Sequence, residues 1–450
     1  MYRQSSTLTR ALSLRHVVLF GLAFMAPLTV FVTYGVAIES TQGMIPTAYV
    51  IALVIMLFTA YSYGMMSKEF PIAGSSYTFT QKAISPYIGF LVGWTILIDY
   101  VFSPMISSLI VGLYANAYFP SVPMFVWIIL FIAIISTVNI LGVKIAANFN
   151  MYVVIFQALF FVLFAILSIK GLLEGKGTGT LFSSLPFFDP NVKLSAIIGV
   201  VPLLCFSFLG FDAVSTLSEE TKNPKTTLPK GILLITFIGG ILFIVVTYFT
   251  QMIFPNFDSF ISPDTAANQI MVFIGGNLLN SIFTAVMITT SFASAVASSA
   301  SSSRILYAMG REKVLPRKIF GYLSPKFHTP VYNLLLIGVI ALSAIYMDID
   351  TAVSFINFGA LFAFTAVNLS VIVHYFIRNK NRSVKGTIIY LIIPLMGAFF
   401  SGLFWVKSSM HALILGGCWL VCGILYLLYL TKMFRQKPPE LHFDEGEHSI

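Results

Sequence analysis

Phe206–Pro229 reads FSFLGFDAVSTLSEETKNPKTTLP, and the fold turns on this stretch. It begins inside an apolar run long enough to enter a bilayer. It places Gly210 and a carboxylate, Asp212, where a membrane helix ordinarily carries Leu. It leaves through a doubled acid, Glu219-Glu220, and through Asn223-Pro224 and Pro229, which are turn and helix-start residues. Glycine loosens a helix, and an acid at membrane depth is costly. Together they predict a broken helix built around a polar or charged ligand.

The surrounding chain agrees with a membrane setting. A soluble domain carries roughly a quarter charged residues. Here only 10% are charged and 58% are hydrophobic, with a mean hydropathy of +0.90. Arg3, Arg10 and Arg15 precede the first apolar run, and no small-residue cleavage site follows it, so no removable signal peptide is expected. Cys205, Cys418 and Cys422 all lie in apolar runs, which argues against a disulfide framework. The chain has no His-Glu metal spacing, no Gly-x-Ser-x-Gly elbow and no phosphate-binding glycine loop. An enzyme, an ATP-driven pump, a metal site and a cofactor are therefore not expected. The segment after Lys432 is too short for the soluble output domain of a sensor.

A spanning helix needs about 20 mainly apolar residues. That ruler predicts twelve spans, near 16–38, 45–66, 87–113, 123–141, 149–169, 195–218, 231–254, 277–303, 331–347, 352–377, 387–406 and 410–431. Spans nine and ten are separated by little more than Met347–Asp350. The expected organisation is a cytoplasmic segment 1–15, one transmembrane permease domain 16–431 and a cytoplasmic tail 432–450. If the N-terminus is cytoplasmic, only Lys170, Lys176, Lys193 and Lys407 of the 26 Lys and Arg fall outside the inner loops and termini. The positive-inside rule predicts that skew. The net charge of +9 is thus a topology signal and does not call for nucleic acid. The lipid bilayer is the expected surrounding, and nothing in the chain fixes an oligomeric state.

The acids complete the map. Nearly all sit in loops, at span ends or in the tail; Glu39 lies at the outer end of span one. Asp99 in span three and Asp212 in span six lie at depth, and no Lys or Arg is mapped there. A buried acid without a cationic partner must be protonated, hydrated, or waiting for a cation.

Span one, HVVLFGLAFMAPLTVFVTYG, is also interrupted, at Gly21 and Pro27, and Pro27 removes a backbone donor in mid-helix. The two interrupted helices are each the first of a set of five spans. Five is odd, so the second set enters the membrane from the opposite side. Matching breaks in two such halves point to an inverted-repeat transporter with its substrate site between them.

FSFLGFDAVSTLSEETKNPKTTLPKGI resembles the sixth-span signature of the amino acid–polyamine–organocation permeases. SRILYAMGREKVLPRKIFGYLSPKFHTPVYN (303–333) resembles that family's segment after span eight, and PIAGSSYTFTQKAISPYIGFLVGW (71–94) its second loop. Within the family the wording is most similar to bacterial putrescine importers, in LIDYVFSPM around Asp99, GFDAVSTLSEET around Asp212 and INFGALFAFTAVNLSV in span ten. The resemblance implies an all-α fold of two inverted five-helix repeats plus two helices. It implies substrate held between the unwound parts of spans one and six, walled by spans three, eight and ten, and uptake driven by protons or membrane potential. Some proton-coupled relatives carry a lysine in span five, where the nearest residue here is Gln157. Some carry Trp where this chain has Phe206.

The residues themselves suit a cationic substrate. Span one is expected to expose backbone around Phe24, Met25 and Ala26, and span six around Ser207–Gly210. Free carbonyls there accept hydrogen bonds, and half-helix N-termini hold anions such as an amino-acid carboxylate. A diamine needs acceptors at both ends and an apolar path between. Asp99 and Asp212, with Tyr100, Phe206, Phe208 and Phe292, fit that demand, and aromatic faces attract ammonium groups. A short diamine is the favoured substrate, and an amino acid is the alternative. Asp212 also fits a structural acid bonded to freed N–H groups, or a proton carrier. Asp99 also fits a structural role. Phe206 suits a gate, and Glu219 and Glu220 a cap on span six or an inner gate. The small residues of 291–304 suit close helix packing, with hydroxyls that could also line the route or hold a cation. Asn357 is a weaker substrate contact, and His374 a structural histidine more readily than a proton relay.

Overall fold

The computed structural model describes residues 12–72, 75–141, 146–218, 220–311, 315–327 and 329–438. Among them the protein is all-helical, and the single β-type contact is one bridge between Leu12 and Thr221. Eleven helical segments are long and apolar enough to cross a membrane. The expected ninth span is present as the shorter apolar helix Val331–Tyr346. Its last turn, Leu342–Tyr346, tightens to 3₁₀, so it reaches about 25 Å where a hydrocarbon core is about 30 Å thick. Span ten then starts afresh. Asp348 accepts from the Thr351 N–H at 2.7 Å and from its hydroxyl at 3.0 Å, capping Ile349–Val371. The 46-residue stretch Ala266–Arg311 is kinked at Gly275-Gly276, where Gly276 has φ +68°, and the eighth span runs on from that kink.

The two sets of five show in the packing. Span two (Ile45–Glu69) lies along span seven (Pro224–Ile253), and span three (Pro86–Tyr118) along span eight. Spans four (Met124–Leu141) and nine also touch, as do the unwound parts of spans one and six. In these four cases helices at the same place in each set pair with one another, as expected about a two-fold axis in the membrane plane. Small residues permit the closest approaches. In span twelve (Met410–Leu430), a Cβ on Gly423 would lie 2.4 Å from the Trp94 ring of span three. There Trp94 and Trp419 each donate the indole N–H to the other's carbonyl at 2.9 Å.

Spans one and six are both broken. Span one runs Leu14–Met25, passes through Ala26 in the left-handed conformation (φ +47°), forms a 3₁₀ turn at Pro27–Phe31 and resumes at Tyr34–Ser40. The expected interruption at Gly21 is absent. Gly21 is buried within the helix, and a Cβ there would meet Ile235 Cδ1 at 2.2 Å and Val214 Cγ2 at 2.8 Å. Its role is to let span one close on spans seven and six. Span six breaks over a longer stretch than Gly210 alone. The helix Leu194–Leu204 tightens at Cys205–Phe208, opens at Leu209 and turns at Gly210 (φ +111°). It resumes as the 3₁₀ segment Ala213–Leu217.

The ends of these helices are tied together. The Leu12 N–H donates to the Glu220 carbonyl at 2.9 Å, and the Lys222 N–H to the Leu12 carbonyl at 2.8 Å. The chain ahead of span one is thereby stapled to the exit of span six.

Candidate functional site

The two breaks meet at Gly210. A Cβ added there would stand 2.7 Å from Phe24 Cδ1, 2.9 Å from the Met25 nitrogen and 3.0 Å from the Phe24 carbonyl carbon. Only glycine permits both this approach and the positive φ. Two residues on, Asp212 is partly buried. Its Oδ1 accepts from the Gly210 N–H at 3.3 Å, and the backbone N–H groups of Asp212 and Ala213 also face the carboxylate. The Asp212 carbonyl accepts from the Ser215 N–H at 3.0 Å and from the Ser215 hydroxyl at 2.6 Å, which starts the second half of the span.

Asp99 and Tyr100 are partly buried on span three. Asp99 stands close enough to Asp212 to feel its charge. Among the described residues, no lysine, arginine or histidine pairs with either carboxylate. Tyr100 and the buried Tyr63 of span two lie within the field of both acids. Tyr63 is a residue that sequence reading passes over: a tyrosine among span-two aromatics carries no mark until the fold sets it against Phe211, at 5.5 Å between ring centroids.

The aromatic residues sort differently from the sequence expectation. Phe208 is fully buried between Tyr49 (6.5 Å) and Phe243 (5.3 Å), so it is a packing wedge rather than a substrate contact. Ser207 is buried as well, its hydroxyl spent on Tyr49 at 2.9 Å. Phe206 keeps 9% of its surface exposed. Phe292 packs beside Val111, Phe131 and Ala295, in a cluster of spans three, four and eight. Met25 turns its side chain to span seven, where a Cβ on Gly239 would meet its sulfur at 2.5 Å, so only its backbone belongs to the break. The accessible ring at the break is Phe24, 43% exposed, beside Gly210 and stacked on Phe20 at 6.3 Å.

Asn357 is not placed as a ligand by its amide nitrogen. It donates to the Pro202 carbonyl at 2.9 Å and so holds span ten to the first half of span six, next to its break. The expected inner-gate residue Glu219 lies outside the described residues; Glu220 contributes its carbonyl to the bond with Leu12. In 291–304, the hydroxyls of Ser298, Ser302 and Ser303 go to backbone carbonyls, with Ser302 also reaching the Tyr100 carbonyl of span three. That is a packing role. His374 sits at the end of span ten, its Nε2 3.3 Å from Glu69 Oε1, while the Tyr375 hydroxyl donates to Glu69 Oε2 at 2.9 Å. The group clamps span two to span ten, far along the chain from Asp212.

This arrangement can hold a compact cation: two carboxylates with no cationic partner among the described residues, with unwound backbone and aromatic faces where the two broken helices meet. The chain belongs to the amino acid permease family, whose sequence profile matches residues 16–433. It is a multi-pass membrane permease and not an enzyme. It is 42% identical over 434 residues to the low-affinity putrescine importer PlaP of Escherichia coli (strain K12), covering 96% of each chain. It is 27% identical to the methylthioribose transporter of Bacillus subtilis (strain 168), over 95% of each chain. It is also 29% identical to the vacuolar cationic amino acid transporter 4 of Arabidopsis thaliana, over 81% of this chain and 63% of that one.

Proposed function

We propose that this permease imports putrescine or a similar short diamine across the cytoplasmic membrane by alternating access. Both termini lie in the cytoplasm, and the proton gradient or the membrane potential drives uptake. The observation that carries this reading is the pair Asp99 and Asp212, two acids set within the apolar spans three and six, with no cation paired to either among the described residues. A substrate with two ammonium groups supplies the missing charge at both. The similarity to a putrescine importer supports the same substrate.

In this reading Asp212 holds the ammonium at the break, assisted by backbone near Ala26 and Gly210. Asp99 and Tyr100 hold the distal one, with Phe24 and Phe206 along the path. Replacing Asp99 by Asn removes one charge-assisted contact. Putrescine KM should rise roughly ten- to hundredfold, while butylamine, which has no second ammonium, should lose little. Equal losses for both amines would overturn the assignment of Asp99 to the distal end.

Phe24→Ala removes the exposed ring at the break. A cation–π contact contributes about 0.5–2 kcal/mol, so putrescine KM should rise roughly three- to thirtyfold at constant protein level in the membrane. An unchanged KM would mean that the ring faces lipid only.

A further inference from the structure

The loop between spans five and six forms a second concave surface. A groove of about 550 Å³ lies between this loop and span seven. Its roof is Phe182 and Phe187, and its floor is Ile244, Val245, Tyr248 and Phe249. The roof is fixed. The Tyr248 hydroxyl accepts from the Ser183 N–H at 2.9 Å and lies 3.2 Å from the Leu181 carbonyl as donor. The Phe187 ring stacks on Tyr248 at 5.5 Å, and the Thr47 hydroxyl of span two donates to the Phe187 carbonyl at 2.8 Å.

Three observations fix the occupant. First, the floor continues a stripe that already faces the bilayer: Leu234, Phe237, Ile238, Ile241 and Val245 are exposed along one side of span seven. An acyl chain lying on that stripe runs into the groove. Second, the roof presents apolar surface on a connecting loop, with Phe182 88% exposed. An exposed ring without a polar group is better solvated by lipid than by water. Third, three of the four cations that the charge map leaves on the outer side, Lys170, Lys176 and Lys193, flank this one loop. Lys170 is engaged by Glu174 at 3.7 Å. Lys176 and Lys193 are exposed. The Thr178 N–H bonds to the Met252 carbonyl at 2.9 Å, one helical turn beyond Tyr248, which sets Lys176 on the loop beyond that end of the groove, its Nζ 6.0 Å over the Phe273 ring. A positive charge here runs against the positive-inside trend and matches an anionic headgroup.

We infer that this groove is a binding site for an anionic phospholipid of the outer leaflet, its acyl chain between Phe182–Phe187 and span seven and its phosphate toward Lys176. The site is separate from the substrate site, and its test does not involve putrescine.

The full-length protein, purified in mild detergent and stripped of lipid, is mixed with phosphatidylglycerol or phosphatidylcholine, and bound lipid is read by native mass spectrometry. Phosphatidylglycerol should be retained about fivefold better than phosphatidylcholine, the contribution of about one lysine near an anionic headgroup. Lys176→Gln should abolish that preference and leave phosphatidylcholine retention unchanged. Phe182→Ser/Phe187→Ser should lose both lipids. Val245→Trp fills the groove from an already exposed position and should do the same without disturbing the roof. Equal lipid retention in the wild type and in Val245→Trp would overturn the proposal. So would a dimer that Val245→Trp abolishes, because the groove would then be an interface between copies of this chain.

Discussion

Asp212→Asn is expected to reduce putrescine uptake to background and to weaken binding by at least a hundredfold. Asparagine has nearly the shape of aspartate, and its Oδ1 can still accept from the Gly210 N–H, as the Asp212 carboxylate does. The substitution therefore removes the charge and keeps the local hydrogen bond. Breaking a desolvated ion pair by removing one partner costs about 3–5 kcal/mol, which is more than two powers of ten in affinity. If Asp212 served only to secure the break, Asn would preserve transport and Ala would not. If its charge meets the substrate, both variants fail. Binding of labelled putrescine to purified Asp212→Asn and Asp212→Ala, beside uptake, separates the two readings. Wild-type uptake by Asp212→Asn would make the acid structural.

The second large effect is expected at Gly210. Alanine there must adopt φ near +111° and bring its Cβ within 3.0 Å of backbone atoms of Phe24 and Met25. A forced left-handed or more extreme backbone costs about 1–3 kcal/mol, and the clash falls on main chain that cannot rotate aside. The two breaks must separate, and the substrate site lies where they touch. Gly210→Ala should lose uptake by at least about tenfold, the factor that 1.4 kcal/mol represents. Gly21→Ala is the control. Its Cβ would press on the Ile235 side chain, which is flexible at its end, so it should lower thermal stability before it alters KM. Uptake by Gly210→Ala at the wild-type rate would show that the close contact of the breaks is dispensable.

The contrast between these glycines shows what the sequence could and could not reveal. Both stand in apolar runs beside a functional-looking residue. One lies inside a regular helix and exists for close packing; the other takes a conformation closed to other residues. Composition does not distinguish them, because glycine serves both purposes in membrane helices. The span map was legible because hydropathy, charge placement and length all act locally along the chain. The short ninth span also fits this logic, since Asp348 restarts the helix by capping it. The two depth acids were legible because charge in an apolar run is costly wherever the helix goes.

The aromatic lining was not legible. Phe206 and Phe208 flank the break in sequence, but the tightening at Cys205–Phe208 turns Phe208 into the core between Tyr49 and Phe243. Phe24, whose ring is left open beside Gly210, belongs to the other broken helix. Asn357 could likewise be read only as a polar residue in span ten until its partner, the Pro202 carbonyl, was in place. Contacts between distant spans decide such roles, and no local pattern records them.

The most direct test of the account is uptake of labelled putrescine by the purified protein in liposomes, with the interior made negative or alkaline. The account predicts accumulation of putrescine that other short diamines compete away and that leucine and arginine do not. Uptake of leucine or arginine, with no response to putrescine, would contradict it.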